Sequence, residues 1–147
     1  MNTEHPSLLE PGLHDVDLDT LERLFVEPFD DATRRRELLD GLRAMLSVIR
    51  RMGLRVEVWI DGSFTTQKPN PVDIDVVIYY DPIAVQALKA SDQNVLSEIA
   101  DTNLSKLRYK CDPYLVPNDE EQWRSYWRGW FGFSRDEEPK GIARISL

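Results

Sequence analysis

Two alternating apolar segments on either side of a glycine-serine turn constrain this chain more than any other feature. From Leu54 to Ile60, Val56, Val58 and Ile60 alternate with Arg55, Glu57 and Trp59, the period-two pattern of a strand with one buried face. Asp73 to Tyr80 repeats the pattern. Ile74, Val76, Ile78 and Tyr80 fall on one face, and Asp73, Asp75, Val77 and Tyr79 on the other. Between the two strands run Asp61-Gly62-Ser63-Phe64-Thr65-Thr66 and Gln67-Lys68-Pro69-Asn70-Pro71-Val72. Pro69 and Pro71 keep this connection from becoming a long helix, so the Gly-Ser turn is expected to stay near the start of the second strand. The sheet should therefore have one polar end, where alternation gives way to two carboxylates on a shared face.

Those residue types suit phosphate chemistry. A glycine-serine turn presents backbone N–H groups to phosphate oxygens, and paired carboxylates hold magnesium. The segment is not a P-loop, because the Gly-x4-Gly-Lys spacing is absent. A serine nucleophile at Ser63 is disfavoured, because the two histidines, His5 and His14, both lie near the N-terminus.

The pattern from Trp59 to Ile78 resembles that of the polymerase-β-like nucleotidyltransferase superfamily: an apolar residue, Gly, Ser, a gap of nine residues, then Asp, apolar, Asp, apolar. Asp61, directly before the glycine, departs from it. Among members, the chain is most similar to small stand-alone bacterial proteins, including the minimal nucleotidyltransferases paired with toxins. It also resembles a bacterial family with a Trp-Ile-Asp-Gly-Ser-Phe run and a C-terminal Pro-Lys-Gly, here Pro139-Lys140-Gly141.

The resemblance implies an α/β (α+β) fold, a mixed β-sheet flanked by helices with a polymerase-β palm-like core. It implies a site with two magnesium ions that transfers a nucleoside monophosphate from a nucleoside triphosphate, ATP by default, to a hydroxyl acceptor. It further implies a third carboxylate on a neighbouring strand, and Asp112 in Tyr109-Lys110-Cys111-Asp112-Pro113 stands where that strand is expected. Asp73, Asp75 and Asp112 are then the catalytic and metal-binding residues, and Gly62, Ser63 and Lys68 the nucleotide-binding ones. Pro113 lacks an N–H for a ladder bond, so its strand is expected at an edge or a bulge.

Charge and composition narrow the partners. The net charge of −8 argues against extended nucleic-acid binding, which needs a basic surface. A magnesium-bound nucleotide and a protein partner or acceptor remain compatible. No apolar run is long enough to span a membrane, no signal peptide is apparent, and the single cysteine, Cys111, fits a reducing cytoplasm.

Along the chain we expect one domain over residues 1–147, with residues 1–18 an irregular arm carrying Pro6, Pro11 and Gly12. A short helix should start at a capping box of Asp19 and Glu22, and a longer one after Asp31 should bury Leu38, Leu42, Met45, Leu46, Ile49 and Met52. Arg34, Arg35 and Arg36 read as a solvated charged turn. Asp81 and Pro82 open a helix to about Ala90, and a second runs from Gln93 to Leu107. Asn118 and Glu121 read as the cap of a helix whose Trp123, Trp127 and Trp130 face the core. Ile142 to Ile145 reads as a last strand. Arg135 and Lys140 read as surface charge, the lesser reading being a segment that folds back to contact nucleotide or partner. Two other classes fit the same residues: a catalytically silent binding module of the antitoxin or immunity type, and a nucleotide sensor that binds without transfer.

Overall fold

The computed structural model describes residues 5–133 and 139–147. Along the chain stand β1 (Gly12–Asp15), α1 (Leu18–Phe25), α2 (Thr33–Arg51), β2 (Val56–Asp61), a 3-10 turn (Ser63–Thr65), β3 (Ile74–Tyr80), α3 (Pro82–Gln86), α4 (Ala90–Ala100), α5 (Thr102–Tyr109), β4 (Cys111–Pro117), α6 (Glu121–Phe131) and β5 (Gly141–Ser146). The strands make one five-stranded sheet in the order β1-β5-β2-β3-β4. It is mixed: β1 runs parallel to β5 and β3 parallel to β4, while β2 is antiparallel to both β3 and β5.

Alternation divides the strand residues between two helix-covered faces. Val58, Ile60, Ile74, Val76, Ile78, Ala143 and Ile145 lie in one cluster with Leu38, Leu42, Met45, Leu46 and Ile49 of α2 and Leu96 and Ile99 of α4. Trp59, Val77, Tyr79, Val116 and Ile142 lie in the other with Trp127 and Phe131 of α6. Each fully buried Leu, Ile or Val in these layers contributes about 1.5–3 kcal/mol of transfer free energy. Among the described residues, no helix is long and apolar enough to cross a membrane.

Several expectations are corrected. The N-terminal arm is not irregular throughout: Gly12–Asp15 forms the outer strand β1, because the parallel edge of β5 offers it a ladder from Gly141 to Arg144. Asp17, not Asp19, caps α1, its carboxylate accepting from the Thr20 amide at 2.7 Å. The helix expected from Gln93 to Leu107 is two, since Asp101 leaves the helical region to cap α5 at Asn103 and Leu104. No side chain caps α6, whose N-cap is Glu120. Its tryptophans share a stripe but not its burial: Trp127 is buried, whereas Trp123 and Trp130 are exposed, because the covered side is centred on Trp127 and Phe131 and leaves the other two at its rim. Pro113 does sit on an edge strand, β4, and Asp81 does cap α3 through the Ile83 amide.

Candidate metal and phosphate site

The polar end of the sheet is set by strand direction. Since β2 runs against its neighbours, its last residue, Asp61, meets the first residues of β3 and β4. Register completes the row. Asp61 pairs with Asp75 and Asp75 with Asp112, and laterally paired residues point to the same face. Asp73 stands just before β3 rather than within it. Asp73, Asp75 and Asp112 nonetheless each bring a carboxylate oxygen within 4.8 Å of the others.

The electrostatics of this row are strained. Burial, then the charges of Asp73 and Asp112, push the Asp75 carboxyl up to about 6. Burial also raises Asp73, with Lys106 opposing it. The Lys106 ammonium lies 3.9 Å from both Asp73 Oδ2 and Asp112 Oδ2, and Tyr114 donates to Asp112 Oδ2 at 3.3 Å. Asp112 Oδ1 is buried without a hydrogen-bond partner among the described residues. An orphaned carboxylate oxygen among clustered acids is a costly arrangement. The all-oxygen donor set suits a hard divalent cation such as magnesium.

The glycine turn touches the same acids. Gly62 has φ +83° and ψ −161°, and a Cβ there would lie 2.4 Å from Asp75 Oδ2. Only glycine lets the backbone approach that carboxylate so closely in this conformation. Ser63 heads the 3-10 turn that follows, and the first amides of such a turn have no partner within it. The Ser63 carbonyl accepts from the Thr66 amide at 3.1 Å and from Thr66 Oγ1 at 2.7 Å, tightening the turn.

Two arginines of α2 brace the loop, and the charged-turn reading of them is overturned. Arg35 is fully buried. Its Nη1 donates to Phe25 O at 2.9 Å and Phe64 O at 2.6 Å, and its Nη2 to Thr66 O and Lys68 O, both at 2.6 Å. The guanidinium also stacks 3.7 Å above the Phe29 ring. Burial lowers its pKa to about 10, so it stays charged at neutral pH. Arg34 ties the far end of the loop, donating to Pro71 O at 3.2 Å and Val72 O at 2.5 Å. Arg36 keeps to the surface, paired with Glu22. Position 35 lies three and four residues before Leu38 and Leu39, on the apolar stripe, and that spacing marks it as inward-facing.

Of the expected nucleotide-binding residues, Gly62 and Ser63 lie at the acids. The carbonyl of Lys68 is held by Arg35, and its charge acts on Asp73. The structure adds Asp61 and Lys140, paired at 3.0 Å, with side chains 3 % and 16 % exposed. Lys140 is therefore not surface charge. Burial pushes Asp61 up to about 7 against the opposing pull of Lys140. Arg135 lies outside the described residues.

Over residues 1–146 the chain matches the family described as a family of unknown function, DUF6932, and it belongs to that family. Comparison with curated proteins gives no match, and neither does comparison with solved structures.

Proposed function

We propose that this protein is a magnesium-dependent nucleotidyltransferase with a polymerase-β-like palm core, moving a nucleoside monophosphate from a nucleoside triphosphate to a hydroxyl acceptor with release of pyrophosphate. The observation that supports this most is the convergence of Asp73, Asp75 and Asp112 within 4.8 Å beside a glycine turn whose backbone lies against Asp75. That combination joins a hard-cation ligand set to amides suited to phosphate.

Bound magnesium would neutralise charge on the phosphates and on the leaving group. Asp73, Asp75 and Asp112 would hold the ions, two of them in this reading. In this reading Asp112 has a second task, accepting the proton of the acceptor hydroxyl. The Gly62 and Ser63 amides would orient the triphosphate, with Lys68 adding charge from the loop. ATP is the default nucleotide through the resemblance of the motif alone. A net charge of −8 disfavours an RNA end as the acceptor, which leaves a hydroxyl of a protein partner, as in toxin–antitoxin or defence systems, or of a small molecule.

Calorimetric titration of each nucleoside triphosphate with magnesium, into wild type and Asp73→Asn/Asp75→Asn, tests the site. Saturable, metal-dependent binding lost in the variant is the expected outcome. No binding to folded wild type would move the function to a silent docking module. Binding without transfer of label to any acceptor would make the protein a nucleotide sensor.

A further inference from the structure

The reading above leaves two cations of the site unused, Lys106 and Lys140. Lys140 immediately precedes β5, and its ammonium lies 3.0 Å from Asp61 Oδ2. Asp61 pairs with Asp75 across the β2–β3 ladder, and the lysine charge reaches the Asp75 carboxylate too. The backbone on both sides of it is held. Its amide donates to Gly132 O at 2.8 Å. The next residue, Gly141, sits so close to the N-terminal segment that a Cβ would lie 2.3 Å from Glu10 O and 2.4 Å from Leu9 Cβ. The backbone that carries the ammonium is thus set in place by packing that owes nothing to a ligand, and Asp61 holds its tip, the preorganisation a binding group needs.

Stability is a poor reason for this pair. Taking an ammonium and a carboxylate out of water costs about as much as their attraction returns, and an apolar pair would serve a strand end as well. Position explains it better. Lys106 serves the Asp73–Asp112 side of the row, and Lys140 the Asp61 side. Lys140 also lines a cavity of about 390 Å³ with Pro11, Arg128, Gly129, Phe133 and Ile142. Among the described residues it is the one that both lines that cavity and pairs with a carboxylate of the row. A polyphosphate entering beside four carboxylates adds several negative charges, and an ammonium at its edge offsets them through charge-assisted hydrogen bonds.

We propose that Lys140 is a ligand-binding residue whose ammonium receives the phosphate oxygens of the nucleotide, exchanging Asp61 for phosphate as the ligand enters. This rests on the nucleotide reading of the site and adds a residue to it.

The test titrates magnesium with ATP and with AMP into wild type, Lys140→Met, Lys140→Arg, Asp61→Asn and Asp61→Asn/Lys140→Met, and follows manganese binding without nucleotide by electron paramagnetic resonance. Lys140→Met should weaken ATP about tenfold to a hundredfold and AMP much less, as expected for loss of a charge-assisted contact. Manganese affinity should stay level or rise, since a positive charge leaves the carboxylates. Lys140→Arg, which restores the positive charge, should recover part of the ATP affinity lost in Lys140→Met, and Asp61→Asn, which removes the ammonium's resident partner, should not show that deficit. The double variant leaves no buried unpaired charge, so it guards against misfolding, and it should retain the ATP deficit. Wild-type ATP affinity in the double variant, or equal losses for ATP and AMP, would reduce Lys140 to a structural partner of Asp61 and overturn the proposal. Wild type that binds neither nucleotide would overturn the nucleotide reading itself, and this inference with it.

Discussion

Gly62→Ala separates a site built around Asp75 from a turn that is merely flexible. Two costs follow from the geometry. The first is conformational: φ +83° with ψ −161° lies in a region essentially reserved for glycine, where another residue costs about 1–3 kcal/mol. The second is steric. The new methyl would stand 2.4 Å from Asp75 Oδ2 and 3.0 Å from its Cγ. Asp75 cannot stay where it is, and forcing it off its rotamer or shifting the turn costs about 1 kcal/mol or more. Together they give roughly 2–4 kcal/mol, a fall in Tm of about 5–15 °C for a chain of this size.

The two costs separate in a double-mutant cycle. In an Asp75→Ala background the carboxylate is gone, so Gly62→Ala should retain the conformational part and only the milder contact, 3.2 Å, with the Cβ of residue 75. The cycle should show a coupling of about 1 kcal/mol or more. Thermal melts of the four proteins in chelator measure it. Manganese titration of Gly62→Ala should also show weakened binding, because the displaced carboxylate is a proposed ligand. Strict additivity would refute the close contact between Gly62 and Asp75. A folded Gly62→Ala protein with wild-type metal affinity would refute the proposed ligand role of Asp75.

Three further outcomes are expected. Arg35→Met leaves the carbonyls of Phe25, Phe64, Thr66 and Lys68 without their donor and should destabilise by about 3–5 kcal/mol in urea unfolding. Arg35→Lys should recover only part of this, since an ammonium cannot fork to four acceptors. Asp75→Asn should raise the Tm of the metal-free protein by relieving repulsion and desolvation, while abolishing the rise that magnesium gives wild type. The pH dependence of stability follows in sign from the raised carboxyls. With Asp61 at about 7 and Asp75 at about 6 when folded, the native state holds protons that the unfolded chain releases near pH 4. Metal-free stability should therefore decline as pH rises from about 4 through 7. Saturating magnesium should flatten that decline, and urea midpoints at pH 5 and 8 measure both arms.

Alternation alone placed β2, β3 and their buried faces within a residue or two, because a period of two is a strong local signal where both neighbours are apolar. The apolar stripe of α2 was equally plain. Three features were not legible, each because it depends on contacts between distant segments. That Asp61 stands opposite Asp75 follows from strand register, which a connection of this length does not determine. The strand at Gly12–Asp15 exists because β5, more than a hundred residues later, offers it an edge. Arg35 reads as one of three surface arginines until the loop carbonyls are seen to converge on it. Its place on the apolar stripe was the available sign, and the charge run around it masked that sign.

The bracing of the loop bears on what the site can bind. A guanidinium only donates, so Arg35 draws carbonyl oxygens toward itself, and it holds those of Phe64, Thr66 and Lys68. These alternate along the chain, and Arg34 takes two more at Pro71 and Val72. With five of the loop's carbonyls turned toward cations of α2, the segment presents less negative potential at the acids than an unbraced loop would. The Gly62–Ser63 amides are left at the head of the 3-10 turn. If the proposed nucleotide binds here, a connection that meets a polyphosphate beside four carboxylates gains from this arrangement, because the ordering of the loop is complete before the ligand arrives. The prediction for Arg35→Lys follows the same logic. Where it folds, it should lose nucleotide affinity while keeping manganese affinity, because the amides are displaced and Asp73, Asp75 and Asp112 are not. Equal loss of both in a folded variant would mean that the loop and the carboxylates are one unit, and that Arg35 supports the acids as much as the turn.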